Sequence, residues 1–266
     1  MASDPMAPLV ALACFLLAAC FLLVSPNRAQ LRPVGIWLGA AGIAILAGAL
    51  AARGLRAVHW PLTNQYEFAL AFALGTALAA LTVDAGQAEQ SATAQAVSLL
   101  LAATLVVYAR LLLPDAKRAI QPLLPALDSV WLPLHVGTAA LAYGALAVAG
   151  AAGLVWLARA PERPAVGGTL HRGISAGYPL LTLSLIFGLI WAQVAWGRYW
   201  AWDLKEVWTL VTWLVYTLYW HLHRRASWSG RRIAWLAATG LAAVLFTFLG
   251  VGWLARSTGL QSLHLF

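Results

Sequence analysis

Five tryptophans, a tyrosine and four charged residues occupy the eighteen positions from Trp191 to Trp208, WAQVAWGRYWAWDLKEVW. Indole and phenol rings offer flat apolar area, and Arg198 and Lys205 place cations beside it. Such a surface suits a large planar ligand with an acidic edge. The expected ligand contacts are Trp196, Arg198, Tyr199, Trp200, Trp202, Asp203 and Lys205. Asp203 has a second reading, ordering the turn by pairing with a base, and Glu206 can cap the helix that follows, where an acid complements the dipole. Trp37, Trp60, Trp131, Trp156, Trp228, Trp235 and Trp253 are read differently, as membrane-belt or packing residues.

Haem is a planar ligand of this kind, and neutral imidazole is a good axial ligand for its iron. Six histidines are present. His135, at the start of an apolar run, and His264, beyond the last run, fall on the same side of the chain's membrane topology as the tryptophan-rich stretch. That placement makes His135 and His264 candidate iron ligands, each having a second reading as an interfacial histidine with a satisfied hydrogen bond. His221 and His223 sit near the opposite end of the run after that stretch, where an ionisable residue at membrane depth is a functional candidate. His223, beside Arg224 and Arg225, reads as interfacial, and His59 and His171 read as structural.

The elements that must position these groups are set by composition: 62% of residues are apolar and 10% charged, against roughly 25% charged in a soluble domain. Apolar runs near 7–24, 34–52, 68–82, 94–113, 132–158, 178–195, 207–223 and 233–252 predict eight transmembrane helices. Uninterrupted runs exclude a barrel, so the expected fold is an all-α polytopic bundle in a single membrane domain, residues 1–266. The 68–82 run is short and reaches spanning length if Tyr66 and Glu67 lie among the lipid head groups. The Pro- and Gly-containing segment 161–179, with His171, reads as the longest inner loop.

Arg224, Arg225, Arg231 and Arg232 after the seventh run, and Arg28 and Arg32 after the first, point those loops to the cytoplasm. Both termini and the tryptophan-rich loop then face outward. Arg53, Arg56, Lys117 and Arg118 fall on the outer side against the rule, and the inner loop near Asp84 and Glu89 is acidic. The net charge of +8 is spread over loops on both faces and so gives no nucleic-acid surface. The first run has no basic residue before it and continues past Cys20, unlike a cleaved signal. Cys14 and Cys20 form no C-x-x-C or C-x-x-C-H arrangement, so the chain has no site for covalent haem of its own.

Four segments carry a family resemblance: HWPLTNQYE at 59–67, the LPALDSVWLPLHVGT region at 124–138, the tryptophan-rich segment through TWLVYTLYWH at 188–221, and QSLH at 261–264. With them the chain resembles the CcsA (ResC) family of system II cytochrome c biogenesis, whose tryptophan-rich "WWD" signature the central segment matches. The resemblance implies a bacterial plasma-membrane protein that holds noncovalent haem b. It implies His135 and His264 as outer haem ligands, His221 as an inner one, and the loop 196–206 as the macrocycle's support. It further implies a CcsB (ResB)-like membrane partner and an apocytochrome c with C-x-x-C-H, the chain acting as the haem-presenting subunit of a holocytochrome c synthase. Two other roles stay open at this point: haem delivery without ligase activity, as in CcmC-type proteins, and regulation of haem synthesis, as in the HemX group. Leu204 stands where the family has proline after the aspartate, a departure expected to loosen the turn into the next helix.

Overall fold

The computed structural model of the chain describes residues 6–83, 91–159, 164–225, 227–228 and 230–259. Among these residues the structure is helical, without strands. The long helices are α1 (Met6–Val24), α2 (Arg32–Ala57), α3 (Gln65–Thr82), α4 (Ala92–Val107), α6 (Trp131–Arg159), α7 (Pro164–Trp196), α8 (Leu204–Leu222) and α9 (Arg231–Leu245), with the short α5 (Asp115–Arg118) and the final α10 (Val251–Thr258). The chain is an all-α multi-pass membrane protein. Six helical segments, corresponding to α1, α2, α4, α6, α7 and α9 continued through α10, are long and apolar enough to cross a bilayer. Among the described residues the third and seventh expected spans do not meet that standard, so six of the eight expected spans are supported by length and composition. The other two correspond to α3 and α8, whose first turns carry Glu67 and Glu206.

α6 is the central helix and packs on α3, α4, α7 and α9, while α1 and α2 form a hairpin against α4 and α3. Lipid gives helices no hydrophobic reason to associate, so close backbone approach through small residues must hold them. The chain supplies such residues at the crossings. A side chain at Gly144 of α6 would lie 2.3 Å from the Gly75 carbonyl carbon of α3, and one at Gly75 would lie 2.7 Å from the Ala140 carbonyl oxygen. Gly173 and Gly177 of α7 meet α6 in the same way, at the Ala145 and Ala142 carbonyls and the Leu146 side chain.

That packing corrects the loop expected over 161–179. The chain is helical from Pro164 onward, and Pro179 sits inside α7. The glycines read as loop residues are contact residues of a helix, because tertiary packing outweighs their weak intrinsic helicity. Residues 160–163 lie outside the described residues, as do 84–90 with Asp84 and Glu89.

Tyr66 and Glu67 are also not head-group residues: they are 2% and 0% exposed. Arg53 Nε donates to Glu67 Oε1 at 2.7 Å, and its guanidinium lies 4.9 Å from the Tyr66 ring centre. Glu67 Oε2 accepts from the Thr63 N–H at 2.8 Å and the Thr63 hydroxyl at 3.0 Å, and Asn64 caps α3 through the Glu67 N–H. Arg53 Nη2 also reaches the Ala119 carbonyl. Hydrogen bonds to most of its remaining sites make this buried charge pair tolerable, Arg53 Nη1 having no partner among the described residues, and the pair ties α2, the 61–64 turn and the 119 segment to one end of the bundle.

Other readings divide. Trp235 is 56% exposed, so it is a surface residue and not core packing, in line with exposed Trp37, Trp60 and Trp253. Cys14 lies against the Gly42 position of α2, and Cys20 is exposed. Two helices carry a π-helical turn, Tyr108–Leu112 after α4 and Phe246–Gly250 between α9 and α10. The rings of Tyr108 and Phe248 meet at 5.7 Å, so the two turns face each other at the tryptophan-rich end.

Gly144→Val should abolish stable accumulation of the protein, because the side chain has only the α3 backbone to occupy; Gly48→Val, at a position with no atom within 4 Å, should not. Quantifying both by fluorescence-detected size exclusion checks this, and equal recovery would show that the α3–α6 approach is dispensable.

Candidate functional site

One end of the bundle opens into a cavity of about 170 Å³ whose mouth is open to solvent. Segments far apart in sequence converge on it. The 62–65 turn and Phe68 of α3 form one wall, Leu132, His135 and Tyr143 of α6 another, and Ser184, Gly188 and Trp191 of α7 a third. Tyr199, Trp200 and Lys205 come from the tryptophan-rich turn and the start of α8, and Phe248, Gly252 and Arg256 from the chain's last helix.

His135 is held from α7. Its Nδ1 lies 2.8 Å from the Ser184 carbonyl oxygen, which can only accept, so Nδ1 carries the hydrogen and the lone pair belongs to Nε2. This is the arrangement in which a backbone carbonyl orients a metal-ligating imidazole and raises its basicity. The ring stacks on Trp191 at 5.9 Å and 13°. Trp191 in turn donates Nε1–H to the Ala126 carbonyl at 2.9 Å, fixing the 124–128 segment against α7. Room for the imidazole comes from Gly188, where a side chain would lie 2.8 Å from His135 Cε1 and Nδ1.

The tryptophan-rich turn is built by two special backbone positions and a cap. Gly197 has φ of 71°, the left-handed region glycine adopts freely. Trp202 also has positive φ, 59°, which strains a bulky residue and persists only where neighbours enforce it. The enforcement is the capping box that follows: Asp203 accepts from the Lys205 N–H at 2.8 Å, and Glu206 Oε2 accepts from the Asp203 N–H at 3.1 Å and the Ala201 N–H at 2.8 Å. α8 therefore begins cleanly at Leu204 without a proline.

The seven residues expected at the ligand separate into three roles. Tyr199, Trp200 and Lys205 line the cavity. Trp196 packs on Trp191 at 4.7 Å in a small core with Leu127 and Leu132, and Asp203 is the buried helix cap. Arg198 and Trp202 are exposed, Trp202 resting edge-on against Trp200 at 5.8 Å. The Trp200 Nε1–H is buried with no acceptor among the described residues. Burial holds the Lys205 ammonium below the ordinary lysine range, an effect that the neighbouring Asp203 carboxylate opposes. Apolar walls, an oriented imidazole, an orphaned indole donor and cations at the rim fit a haem-sized dicarboxylate.

Sequence reasoning missed Gly188, Trp191 as a scaffold, Tyr143, Lys117 and Arg256. Neither π-helical turn has a sequence signal, and it is after the second that Arg256 reaches the rim. His264 lies outside the described residues, which end at Gly259.

At the opposite end, His221 is exposed on α8, its Nδ1 2.8 Å from the Thr217 carbonyl oxygen. The histidines brought together there are His171 and His223, stacked at 5.2 Å beside Tyr219 and Trp220. His171 Nδ1 lies 2.8 Å from the Tyr219 hydroxyl. His59 bonds the neighbouring Trp60 carbonyl, outside the cavity.

Fold and site thus define a class: polytopic α-helical membrane proteins with a histidine-bearing, aromatic cavity at one face. The sequence narrows it. Residues 62–258 match the cytochrome c assembly protein family. Cytochrome c biogenesis protein CcsA of Synechococcus elongatus is 33% identical, with 85% of this chain and 86% of that protein covered. CcsA of Gloeobacter violaceus is 31% identical over 96% and 92%, and CcsA of Microcystis aeruginosa 31% over 85% and 87%. The chain belongs to the CcsA family of cytochrome c assembly proteins.

Gly188→Ala should displace the His135 ring while leaving the histidine in place. If His135 ligates haem iron, the spectrum of haem added to the folded variant should shift toward weaker or five-coordinate ligation; an unchanged spectrum would remove Gly188 from the site.

Lys205 gives a prediction with a definite sign. Its folded-state pKa is lowered, so between that value and the ordinary lysine value the unfolded chain binds the extra proton and stability rises with pH. Lys205→Met should be at least as stable as the parent near neutrality and lose this part of the rise toward high pH. Thermal unfolding in detergent across alkaline pH tests it, and a less stable variant with an unchanged slope would mean that the ammonium is well accommodated.

Proposed function

We propose that this protein is the haem-handling membrane subunit of a cytochrome c synthase, taking noncovalent haem b to the outer face and presenting it to an apocytochrome. The observation that carries the reading is the convergence of oriented His135, Trp200, Tyr199 and basic side chains on one open cavity. Haem here is a substrate. His135 Nε2 is the proposed axial ligand from the bundle, and His264 the second from the segment after α10. Trp200 and Tyr199 supply contact to the macrocycle and its edge.

Each thioether arises by addition of a cysteine thiol of the C-x-x-C-H segment across a haem vinyl group. A carbon–sulfur bond forms, the thiol proton ends on the other vinyl carbon, and nothing leaves. The chain's part is positioning, and holding vinyl and thiol in one site can contribute about 7–11 kcal/mol in well-oriented systems. The cavity's open mouth supports access for a polypeptide acceptor. The proposed orientation puts both termini and the tryptophan-rich turn outside in the plasma membrane. Arg53 is neutralised by Glu67 and Arg118 pairs with Asp115, which lessens the outer-side positive charge that counts against this orientation.

His221 is the proposed inner ligand. Its exposure on the bundle surface supports a haem shared with another membrane chain, a role that suits a CcsB-like partner. Coverage of CcsA relatives across most of their length favours the synthase over delivery or regulatory roles.

Haem should be removable from the purified protein by acid–acetone extraction. His135→Ala should lower haem occupancy and abolish cytochrome c maturation, read per amount of folded protein because the variant also loses the stacking on Trp191 and the hydrogen bond to the Ser184 carbonyl. His221→Ala should lower occupancy and recover partly with exogenous imidazole, with His223→Ala as control. Normal spectra and normal maturation in the His135 variant would overturn the assignment.

A further inference from the structure

Basic side chains reach the cavity from two groups of segments, and the two groups are not equivalent. In the tryptophan-rich group, Lys205 faces Asp203, and Glu206 also lines the wall, so one cation stands against two carboxylates. Arg198 is exposed and lies off the lining. In the other group, Lys117 from α5 and Arg256 from α10 line the cavity beside the neutral amide of Gln65. The nearby acid Asp115 is committed to Arg118.

This second group is organised by side-chain hydrogen bonds. Lys117 Nζ donates to Gln65 Oε1 at 3.2 Å, and Gln65 Nε2 donates to the Tyr108 hydroxyl oxygen at 2.7 Å. Because Tyr108 accepts there, its own O–H proton can be given to another acceptor. Arg256 lies within electrostatic reach of Tyr108. Lys117 retains further donors, and Arg256 carries a fork matched to a carboxylate.

We propose that Lys117 and Arg256, arranged by Gln65 and Tyr108, form the carboxylate clamp of the cavity and receive the two propionates of the macrocycle. This inference rests on the reading of the cavity as a haem site. Its consequence is orientation. Haem carries both propionates on one edge and its vinyl groups away from it, so anchoring the acidic edge between α5 and α10 turns the vinyls toward Tyr199, Trp200 and the tryptophan-rich turn. The site of thioether formation is then that wall of the cavity, and the apocytochrome thiols approach across it. Glu206, a carboxylate that lines this wall, disfavours propionates there and reinforces the same choice.

The test compares haem with haem dimethyl ester, in which both propionates are neutral, by optical titration of the purified full-length protein in detergent. The parent should bind haem about ten- to a hundredfold more tightly than the ester, the size expected from hydrogen bonds to a charged group. In the double variant Lys117→Gln/Arg256→Gln this preference should collapse to near parity through weaker haem binding, with ester affinity unchanged. Lys205→Gln should keep the preference. Preference that survives in the double variant, or vanishes in Lys205→Gln instead, overturns the clamp. His135→Ala separates the two levels: if it leaves both ligands' spectra unaltered, the haem-site reading itself has failed, whereas altered spectra with an intact preference in the double variant sink the clamp alone. Both clamp side chains are exposed, and matching size-exclusion profiles confirm that the variants fold.

Discussion

The close approach of α3 and α6 at Gly75 and Gly144 is the constraint on which the site depends. These two helices begin at the same end of the bundle, α3 just after the 62–65 turn and α6 just before His135. Bringing their backbones into contact sets how far apart those two walls of the cavity can stand. α7 then locks onto α6 through Gly173 and Gly177, which places Ser184, Gly188 and Trp191 against His135. Small residues thus set the helix spacing, and large residues use the gap at one end.

The carboxylates of Glu67, Asp203 and Glu206 near the cavity have structural partners, and this distinguishes scaffold from site. Arg53 and Glu67 neutralise each other beneath the 61–64 turn. Asp203 and Glu206 are spent on capping α8, and the cap holds Trp202 in its strained conformation next to Trp200. The Trp200 indole N–H, by contrast, has no acceptor among the described residues, and Lys205 is held below its ordinary pKa by burial. The Trp200 N–H is thus a donor that the protein itself leaves unused in the cavity, and Lys205 a charge that the site disfavours.

The helical class and the membrane setting were legible in the sequence because they depend on composition. His135 and the tryptophan-rich turn, singled out by residue type and by the family resemblance, meet at the cavity. What failed was whatever depended on packing between helices. Gly173 and Gly177 resemble loop residues in sequence and are contact residues in space. Glu67 resembles an interfacial acid and is a buried partner of Arg53. Lys117 and Arg256 lie 139 positions apart and meet only through the cavity, and the π-helical turn before α10 leaves no signature in residue type. The roles of Trp196 and Asp203 show the same limit: their types suit a ligand, but their neighbours Trp191 and the α8 N–H groups have claimed them.

The central claim is that haem occupies the cavity bounded by α3, α6, α7 and the tryptophan-rich turn. An experimental structure of the haem-loaded protein in lipid nanodiscs addresses it most directly. The account predicts the iron in coordination with His135 Nε2 and the macrocycle against Trp200 and Tyr199. A macrocycle bound elsewhere, with His135 still on Ser184 and the cavity filled only by solvent, would contradict it.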